Sequence, residues 1–101
     1  KALMDHAALS DRHSADAHLS RAVFYISLNA IGFPRSLETA SDALSQAAAL
    51  APARPDIPFQ QADVARQLGD SARALVFVKH SLALKQDFEP AMELLRKLRS
   101  P

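Results

Sequence analysis

The most constraining feature of this sequence is that it matches itself at an offset of 34 residues. Small and apolar residues recur in register across that offset, which is a typical length for stacked helical hairpins. In such an array each hairpin needs its neighbours to bury its apolar face. Arrays of this kind usually hold other molecules and rarely carry out chemistry, so the offset predicts a helical scaffold with a binding function. The matched pairs are Ala40 with Ala74, Leu44 with Val78, Ala47 with Ser81, and Leu50 with Leu84.

The composition favours an all-α fold. Apolar residues make up 49% of the 101-residue chain, which argues against disorder, and many of them are alanines. Alanine favours helices and lets two helices approach closely, whereas a sheet protein usually contains more β-branched residues. A chain of this length forms one domain or a part of one.

Charge and cysteine content exclude several classes of function. The net charge of +1 predicts no nucleic-acid partner, and the lack of cysteine excludes disulfides, thiolate nucleophiles and thiolate zinc sites. The most apolar stretch, residues 22–31, is too short to span a bilayer, so we expect no membrane insertion by this segment. Because the chain begins with Lys1 rather than methionine, we expect it to be part of a larger bacterial protein. The lack of cysteine fits either the cytoplasm or the periplasm.

Turn residues divide the chain into about six helices in a row. Glycine and proline cluster between the helices, because glycine permits a left-handed backbone and proline cannot continue a helix. Every connection is short, so successive helices are expected to lie antiparallel. The predicted helices span residues 1–12, 17–31, 36–50, 57–68, 72–85 and 88–99.

Serine and aspartate residues stand where helix starts are predicted. Their side chains can accept hydrogen bonds from the free N–H groups of a first helical turn. Either Ser14 or Asp16 caps the second predicted helix, Asp56 caps the fourth, Asp70 or Ser71 caps the fifth, and Asp87 caps the last.

Four of the predicted helices carry an apolar stripe at helical spacing. We expect each stripe to face the core. The stripes comprise Phe24, Leu28 and Ile31 with Leu19, Ala22 and Val23 beside them; Ala40, Ala43, Leu44, Ala47 and Leu50; Ala74, Leu75, Val78, Ser81 and Leu82; and Phe88, Ala91, Leu95 and Leu98.

The first unit of the repeat, residues 21–54, resembles a tetratricopeptide repeat. The pattern of that family has an aromatic and other apolar residues in its first helix. Its second helix carries an alanine, a large apolar residue and another small residue, and a proline closes the unit. The residues that match these places are Phe24, Leu28, Ile31, Ala40, Leu44, Ala47 and Pro52.

The second unit, residues 55–88, keeps the second half of the pattern and departs from the first half. Its second helix repeats the small and apolar residues, but Pro58 stands where the aromatic belongs, with Phe59 one place late. Gln61 replaces the leucine of the pattern. Residues 88–99 resemble the start of a third unit and provide a closing helix.

The resemblance implies a short right-handed α-solenoid of stacked antiparallel helical hairpins. Residues 18–101 would form the repeat domain, and residues 1–17 would form an N-terminal helix that caps it or ends a preceding repeat. In this family the first helix of each hairpin lines a concave groove that binds a peptide or partner protein. The residues that the resemblance places in the groove are Tyr25, Asn29, Phe59, Gln60, Asp63, Arg66, Glu93 and Lys97.

The side chains of this set suit peptide recognition. Tyr25 and Phe59 are aromatic anchors of the kind that dominate interface energetics. Asn29 and Gln60 can bind a peptide backbone as donor and acceptor at once. Arg66 can pair with a carboxylate.

Ordinary structural roles compete with the groove for some of these residues. In the competing interpretation, Phe59 fills the core position left open at Pro58. In the same way, Glu93 would form an ordinary surface pair with Lys97 at i,i+4. A lysine and asparagine clamp for a peptide carboxylate, which some family members use, is not expected because Tyr25 holds the lysine position.

One cluster of residues resembles an enzyme site. Asp11, His13, Asp16 and His18 are of the types that bind metals and transfer protons. On a helix, however, His13 and His18 are five residues apart and point in different directions, and His6 shares a face with His13 without a third ligand. The sequence therefore predicts no metal site, no cofactor and no catalytic residue.

These observations favour a non-enzymatic protein-interaction module that binds a peptide or partner protein. A second hypothesis is a structural or oligomerising appendage of an enzyme, such as a glycan-handling or secretion enzyme, whose catalytic domain lies outside this chain. A third is a small metal-dependent enzyme that uses the His/Asp cluster. A homodimer through the helix ends is also compatible with the pattern, since repeat arrays without good caps tend to associate.

Overall fold

The protein is all-helical over the residues that the structure describes, as the composition predicts. A computed structural model describes the backbone of residues 2–33 and 35–99 and the side chains of residues 14–33 and 35–99. No strand occurs within these ranges. The helices are α1 (Ala2–Ala30), α2 (Ser36–Leu50), α3 (Asp56–Gln67), α4 (Ser71–Leu84) and α5 (Glu89–Arg99).

The helices group into two compact units, Lys1–Pro52 and Ala53–Pro101. The first unit contains α1 and α2, which pack against each other. The second contains α3, α4 and α5, and there α4 packs against both of the other helices. Each helix therefore has a partner within its own unit.

The first helix is continuous, and the predicted break near Ser14 and Asp16 is absent. The described residues therefore form five helices rather than about six. A residue suited to capping does not by itself end a helix, and residues 2–31 contain neither glycine nor proline. With no chain-breaking residue present, α1 continues through the position where the cap signal suggested a new start.

The face of α1 that is buried is the alanine face. Ala15 and Ala22 are fully buried, whereas Phe24 and Ile31 are 58% and 74% exposed. The prediction that Phe24 and Ile31 face the core is therefore wrong. Residues seven apart lie on one side of a helix, and small side chains there let a neighbouring helix come close. Periodicity finds an apolar face, but it does not say which of two such faces meets the partner helix.

The second helix buries the face that the sequence predicts. Ala40, Ala43, Leu44 and Ala47 are buried, and Leu50 at the end of the stripe is half-buried. Their small size and helical spacing suit close contact with another helix.

Two glycines end helices with the same arrangement of hydrogen bonds. Gly32 has φ 105 and Gly69 has φ 87, a left-handed conformation that glycine adopts without a steric penalty. After α3, the Asp70 N–H donates to the Ala65 carbonyl at 2.9 Å and the Gly69 N–H donates to the Arg66 carbonyl at 3.0 Å. This is the Schellman arrangement, and it confirms the helix ends predicted at both glycines.

Of the caps predicted for α3 and α4, one forms and one does not. The Asp70 carboxylate accepts a hydrogen bond from the Arg73 N–H at 3.0 Å, as a helix cap does. Asp56 is instead the first residue of α3, and its carboxylate pairs with Arg54 at 2.7 Å. Pro55 takes the capping position, where no side-chain hydrogen bond forms.

Small and branched side chains form the core of the second unit. Its buried cluster consists of Ala62, Val78, Ala91 and Leu94, with Phe59 among the partly buried side chains packed against it. On α5, Leu94 is buried, whereas Leu95, predicted to face inward, is only half-buried.

A buried serine ties two helices of this unit together. Ser81 occupies the place that alanine holds in the first repeat and is fully buried. Its hydroxyl donates a hydrogen bond to the Pro55 carbonyl at 2.7 Å. The end of α4 is thereby joined to the start of α3, and the polar group of Ser81 is satisfied.

Candidate functional site

Five of the eight residues predicted to bind a partner line one groove in the second unit. The groove lies between α3 and α5 and has a volume of about 210 Å³. We call it the α3–α5 groove. Its lining residues are Phe59, Asp63 and Arg66 from α3 and Pro90, Glu93, Leu94 and Lys97 from α5.

Helical spacing explains why these side chains share a groove. On α3, Phe59, Asp63 and Arg66 stand at i, i+4 and i+7, which places them on one face. On α5, Pro90 and Lys97 are seven residues apart and belong to one face as well. The contact between α3 and α5 brings the two faces together.

The apolar part of the groove is continuous with the core. The ring of Phe59 meets the ring of Phe88 edge to face, with centroids 5.9 Å apart and an interplanar angle of 82°. Phe59 also packs against the buried cluster of the second unit, and Pro58 beside it is itself buried. Phe59 thus lines the groove and contacts the core at once, so its position is held by packing.

On the α3 side, the rim of the groove is an internal ion pair. The Arg66 Nη2 lies 2.7 Å from the Asp63 Oδ1, and the Gln67 side-chain amide donates to the Asp63 Oδ2 at 3.1 Å. Both carboxylate oxygens of Asp63 therefore have partners. Arg66 offers a ligand only the N–H groups that this pair leaves unused.

On the α5 side, the rim carries a cation without an ion-pair partner among the described residues. Glu93 pairs with Arg96 at 3.3 Å, so the competing expectation of a Glu93–Lys97 surface pair is not met. Lys97 is exposed and lines the groove. It is the charged group of the rim most available to a carboxylate.

The other predicted binding residues lie elsewhere. Gln60 is half-buried on α3 but does not line the α3–α5 groove. Asn29 and Tyr25 belong to the first unit, where both are half-buried. Tyr25 lines a separate, open and mostly apolar groove of about 400 Å³, whose other lining residues are Leu28, Phe33, Arg35, Ser36 and Thr39.

Pro90 and Leu94 are groove residues that the sequence prediction missed. Pro90 lies in the first turn of α5, where proline is common, and the predicted inward face of this helix includes Leu95 rather than Leu94. The spacing of these residues could have identified them, since Leu94 stands at i+4 from Pro90 and Lys97 stands at i+3 from Leu94. Residues at these spacings share the helix face that carries Lys97.

The structure describes the side chains of Asp16 and His18 from the histidine cluster. No group of three metal-ligating side chains is found among those residues. The side chains of His6, Asp11 and His13 lie outside the described residues. The Nδ1 of His18 lies 2.7 Å from the Nη2 of Arg21, which also donates to Gln46 at 3.3 Å.

None of the described helices combines the length and the hydropathy needed to cross a membrane.

Comparison with known proteins identifies no relative: no protein-family model matches the chain, and no curated protein or solved structure is significantly similar to it. The resemblance to tetratricopeptide repeats therefore depends on the residues of this chain alone.

Proposed function

We propose that this chain is a non-enzymatic protein-interaction module whose α3–α5 groove binds a peptide segment of a partner protein. The observation that carries the proposal is the convergence of five residues, selected from sequence as partner-binding, on one groove. A tetratricopeptide-like solenoid is the architecture we propose for it, on the basis of the residues in 34-residue register.

The size of the groove favours a peptide side chain as the bound group. Sites for drug-sized ligands usually enclose about 300–1,000 Å³, whereas this groove has a volume of about 210 Å³. It therefore suits one apolar side chain, resting against Phe59, Pro90 and Leu94, with the peptide backbone passing over it. The core contacts of Phe59 hold this surface in place before a ligand arrives, which lowers the entropic cost of binding.

The charges at the rim of the groove indicate which type of residue should follow the apolar residue in the bound peptide. Asp63 is paired with Arg66 and accepts a hydrogen bond from Gln67, and Glu93 is paired with Arg96. Lys97 is left to pair with a ligand carboxylate. The preferred segment is therefore an apolar residue followed by an acidic one.

The test is the binding of fluorescein-labelled hexapeptides with a central Leu-Asp, Leu-Asn or Gly-Asp pair, measured by fluorescence anisotropy. We expect the Leu-Asp peptide to bind best. Replacing Lys97 by methionine keeps the apolar stem but removes the charge. For an exposed pair worth up to about 1 kcal/mol, Lys97→Met should weaken Leu-Asp binding by up to about fivefold. The Leu-Asn peptide should bind the variant and the parent protein equally.

Lys79→Met is the matched control, because Lys79 is an exposed lysine on α4 that does not line the groove. It should leave binding of all three peptides unchanged. Equal effects of Lys97→Met and Lys79→Met, or no preference for Leu-Asp over Gly-Asp, would contradict the proposal.

A further inference from the structure

The side of α5 that turns away from the α3–α5 groove carries an open apolar surface. Met92 is 48% exposed there, and Leu95 is half-buried beside it. Together with Leu82 of α4 and Gln86 of the turn after it, they line a groove of about 510 Å³. We call this surface the outer face of α5. Its lining residues are Leu82, Gln86, Met92, Leu95, Arg96 and Arg99.

Charge is distributed along this face in an ordered way. Glu89, Met92, Arg96 and Arg99 follow one another at intervals of three, four and three residues, so they lie on one side of α5. A second pocket of about 280 Å³ shares Met92 and Arg96 with the first and extends the surface to Glu89. Glu93 also lines this pocket, but its charge is paired with Arg96. The face is thus acidic at the start of the helix, apolar in the middle and basic at the end.

Such a face is complementary to itself when two copies meet antiparallel. A two-fold axis crossing the outer face halfway between Glu89 and Arg99 brings Glu89 of each copy to Arg99 of the other. Met92 then lies opposite Arg96 and beside Leu95 of the other copy. The same patch then serves both copies, as an isologous interface requires. A parallel arrangement would instead place the basic ends of the two helices together, which is unfavourable.

The two charges that the pairing uses are available. Neither Glu89 nor Arg99 has an ion-pair partner among the described residues, and both are exposed. Arg96, in contrast, is already paired with Glu93. The outermost charges of the face are therefore the ones left for an intermolecular contact.

We propose that a second copy of this chain docks on the outer face of α5, with the two α5 helices antiparallel and Glu89 of each copy paired with Arg99 of the other. α5 has 11 residues, so the interface is small. Interfaces below about 1,200 Å² belong to weak and transient complexes, and we expect a dissociation constant between about 10 μM and 1 mM.

The test is sedimentation velocity of the full chain at concentrations from about 10 μM to 1 mM. The variants compared exchange the charges at Glu89 and Arg99. Glu89→Arg and Arg99→Glu, each alone, place like charges opposite each other and should weaken dimerisation by at least about tenfold. The double variant Glu89→Arg/Arg99→Glu restores opposite charges and should dimerise like the parent. An equimolar mixture of the two single variants should form a heterodimer, since each supplies the charge that the other lacks.

Controls separate this interface from other surfaces. Arg73→Glu makes the same change of charge on α4 at a residue outside the outer face of α5, and Phe24→Glu changes the exposed apolar face of α1. Both should dimerise as the parent does, and so should Lys97→Met, which tests the peptide groove alone. Circular dichroism should show unchanged helix content in every variant.

Three results would overturn the proposal. One is a parent protein that stays monomeric up to about 1 mM, the weak end of the expected range. Another is a double variant that is as monomeric as the single variants. The third is a dimer that only Phe24→Glu disrupts, which would place the contact on α1.

Discussion

At the scale of single residues, small side chains occupy the buried faces of α2 and α4. Ala40 and Ala47 in α2 and Ala74 in α4 are fully buried, and Ser81 takes the fourth place of this kind. Serine is close to alanine in size, so it fits the same space, but its hydroxyl must find a partner when buried. The Pro55 carbonyl supplies that partner at 2.7 Å.

We therefore expect Ser81→Ala to reduce the free energy of unfolding by about 1 kcal/mol, the net value of a typical buried hydrogen bond. The Pro55 carbonyl keeps a long backbone contact with the Phe59 N–H at 3.4 Å, which limits the loss. Urea denaturation followed by circular dichroism measures the change. Ser45→Ala, at an exposed position on α2, is the control and should not destabilise the protein. Equal stability of Ser81→Ala and the parent would contradict the structural role assigned to the hydroxyl.

At the scale of helices, the second helices of the two repeats were the easiest part to predict. Three of the four pairs in 34-residue register are equally buried: Leu44 and Val78 are both fully buried, as are the small residues on either side of them. In the fourth pair Leu50 is half-buried and Leu84 is exposed. The first helices, α1 and α3, were harder to predict from sequence. α1 has more than one apolar face, and α3 has a proline, Pro58, in its first turn. In α1 the aromatic face is exposed and the alanine face is buried.

The continuity of α1 leads to a prediction at Ala17, an exposed residue that directly follows the predicted cap Asp16. If a new helix began there, proline at Ala17 would occupy a first-turn position and cost little. Within a continuous helix, Ala17→Pro removes a backbone hydrogen bond and clashes with the preceding turn, a loss of about 3 kcal/mol. We expect the larger loss, measured by thermal or urea unfolding.

Ala17→Gly serves as the control, because it relaxes the backbone without removing the N–H group. Its expected cost is about 1 kcal/mol. Should Ala17→Pro prove less harmful than Ala17→Gly, a helix boundary at this point would be the better interpretation.

At the scale of the whole molecule, apolar side chains that pack in the core can be distinguished from those that remain exposed. Large apolar side chains of α1 and of the turn after it are exposed, namely Val23, Phe24, Ile31 and Phe33. Apolar surface that remains exposed is a frequent sign of contact with another molecule. The α3–α5 groove and the outer face of α5 differ from it, because each combines apolar residues with charged groups that lack partners among the described residues.

The exposure of Phe24 can be tested directly. Since a surface substitution usually changes stability by less than about 0.5 kcal/mol, Phe24→Glu should unfold at nearly the same urea concentration as the parent. It should also bind less of a hydrophobic dye such as anilinonaphthalene sulfonate, because it removes exposed apolar surface. A loss of about 3 kcal/mol or more, as expected for deleting a buried aromatic side chain, would show that Phe24 belongs to the core after all.

The candidate site was predictable in part, and the reason is visible in α3 and α5. Phe59, Asp63 and Arg66 share one helix face by spacing alone, so their neighbourhood follows from the sequence once α3 is recognised. The sequence does not show which charged groups remain free to bind a ligand. The Asp63–Arg66 and Glu93–Arg96 pairs depend on side-chain conformations that residue spacing does not determine. Lys97 stands out only when those pairs are known.

The sequence alone determined the features that depend on local chemistry. Gly32 and Gly69 end helices because only glycine adopts their left-handed backbone easily, and the 34-residue register marks the buried faces of α2 and α4. Tertiary structure decided which face of α1 is buried, which charges on α3 and α5 pair with each other, and that the Ser81 hydroxyl binds the Pro55 carbonyl. The physical reason is that periodicity and turn chemistry act over a few residues, whereas burial and ion pairing depend on which other element lies within contact distance.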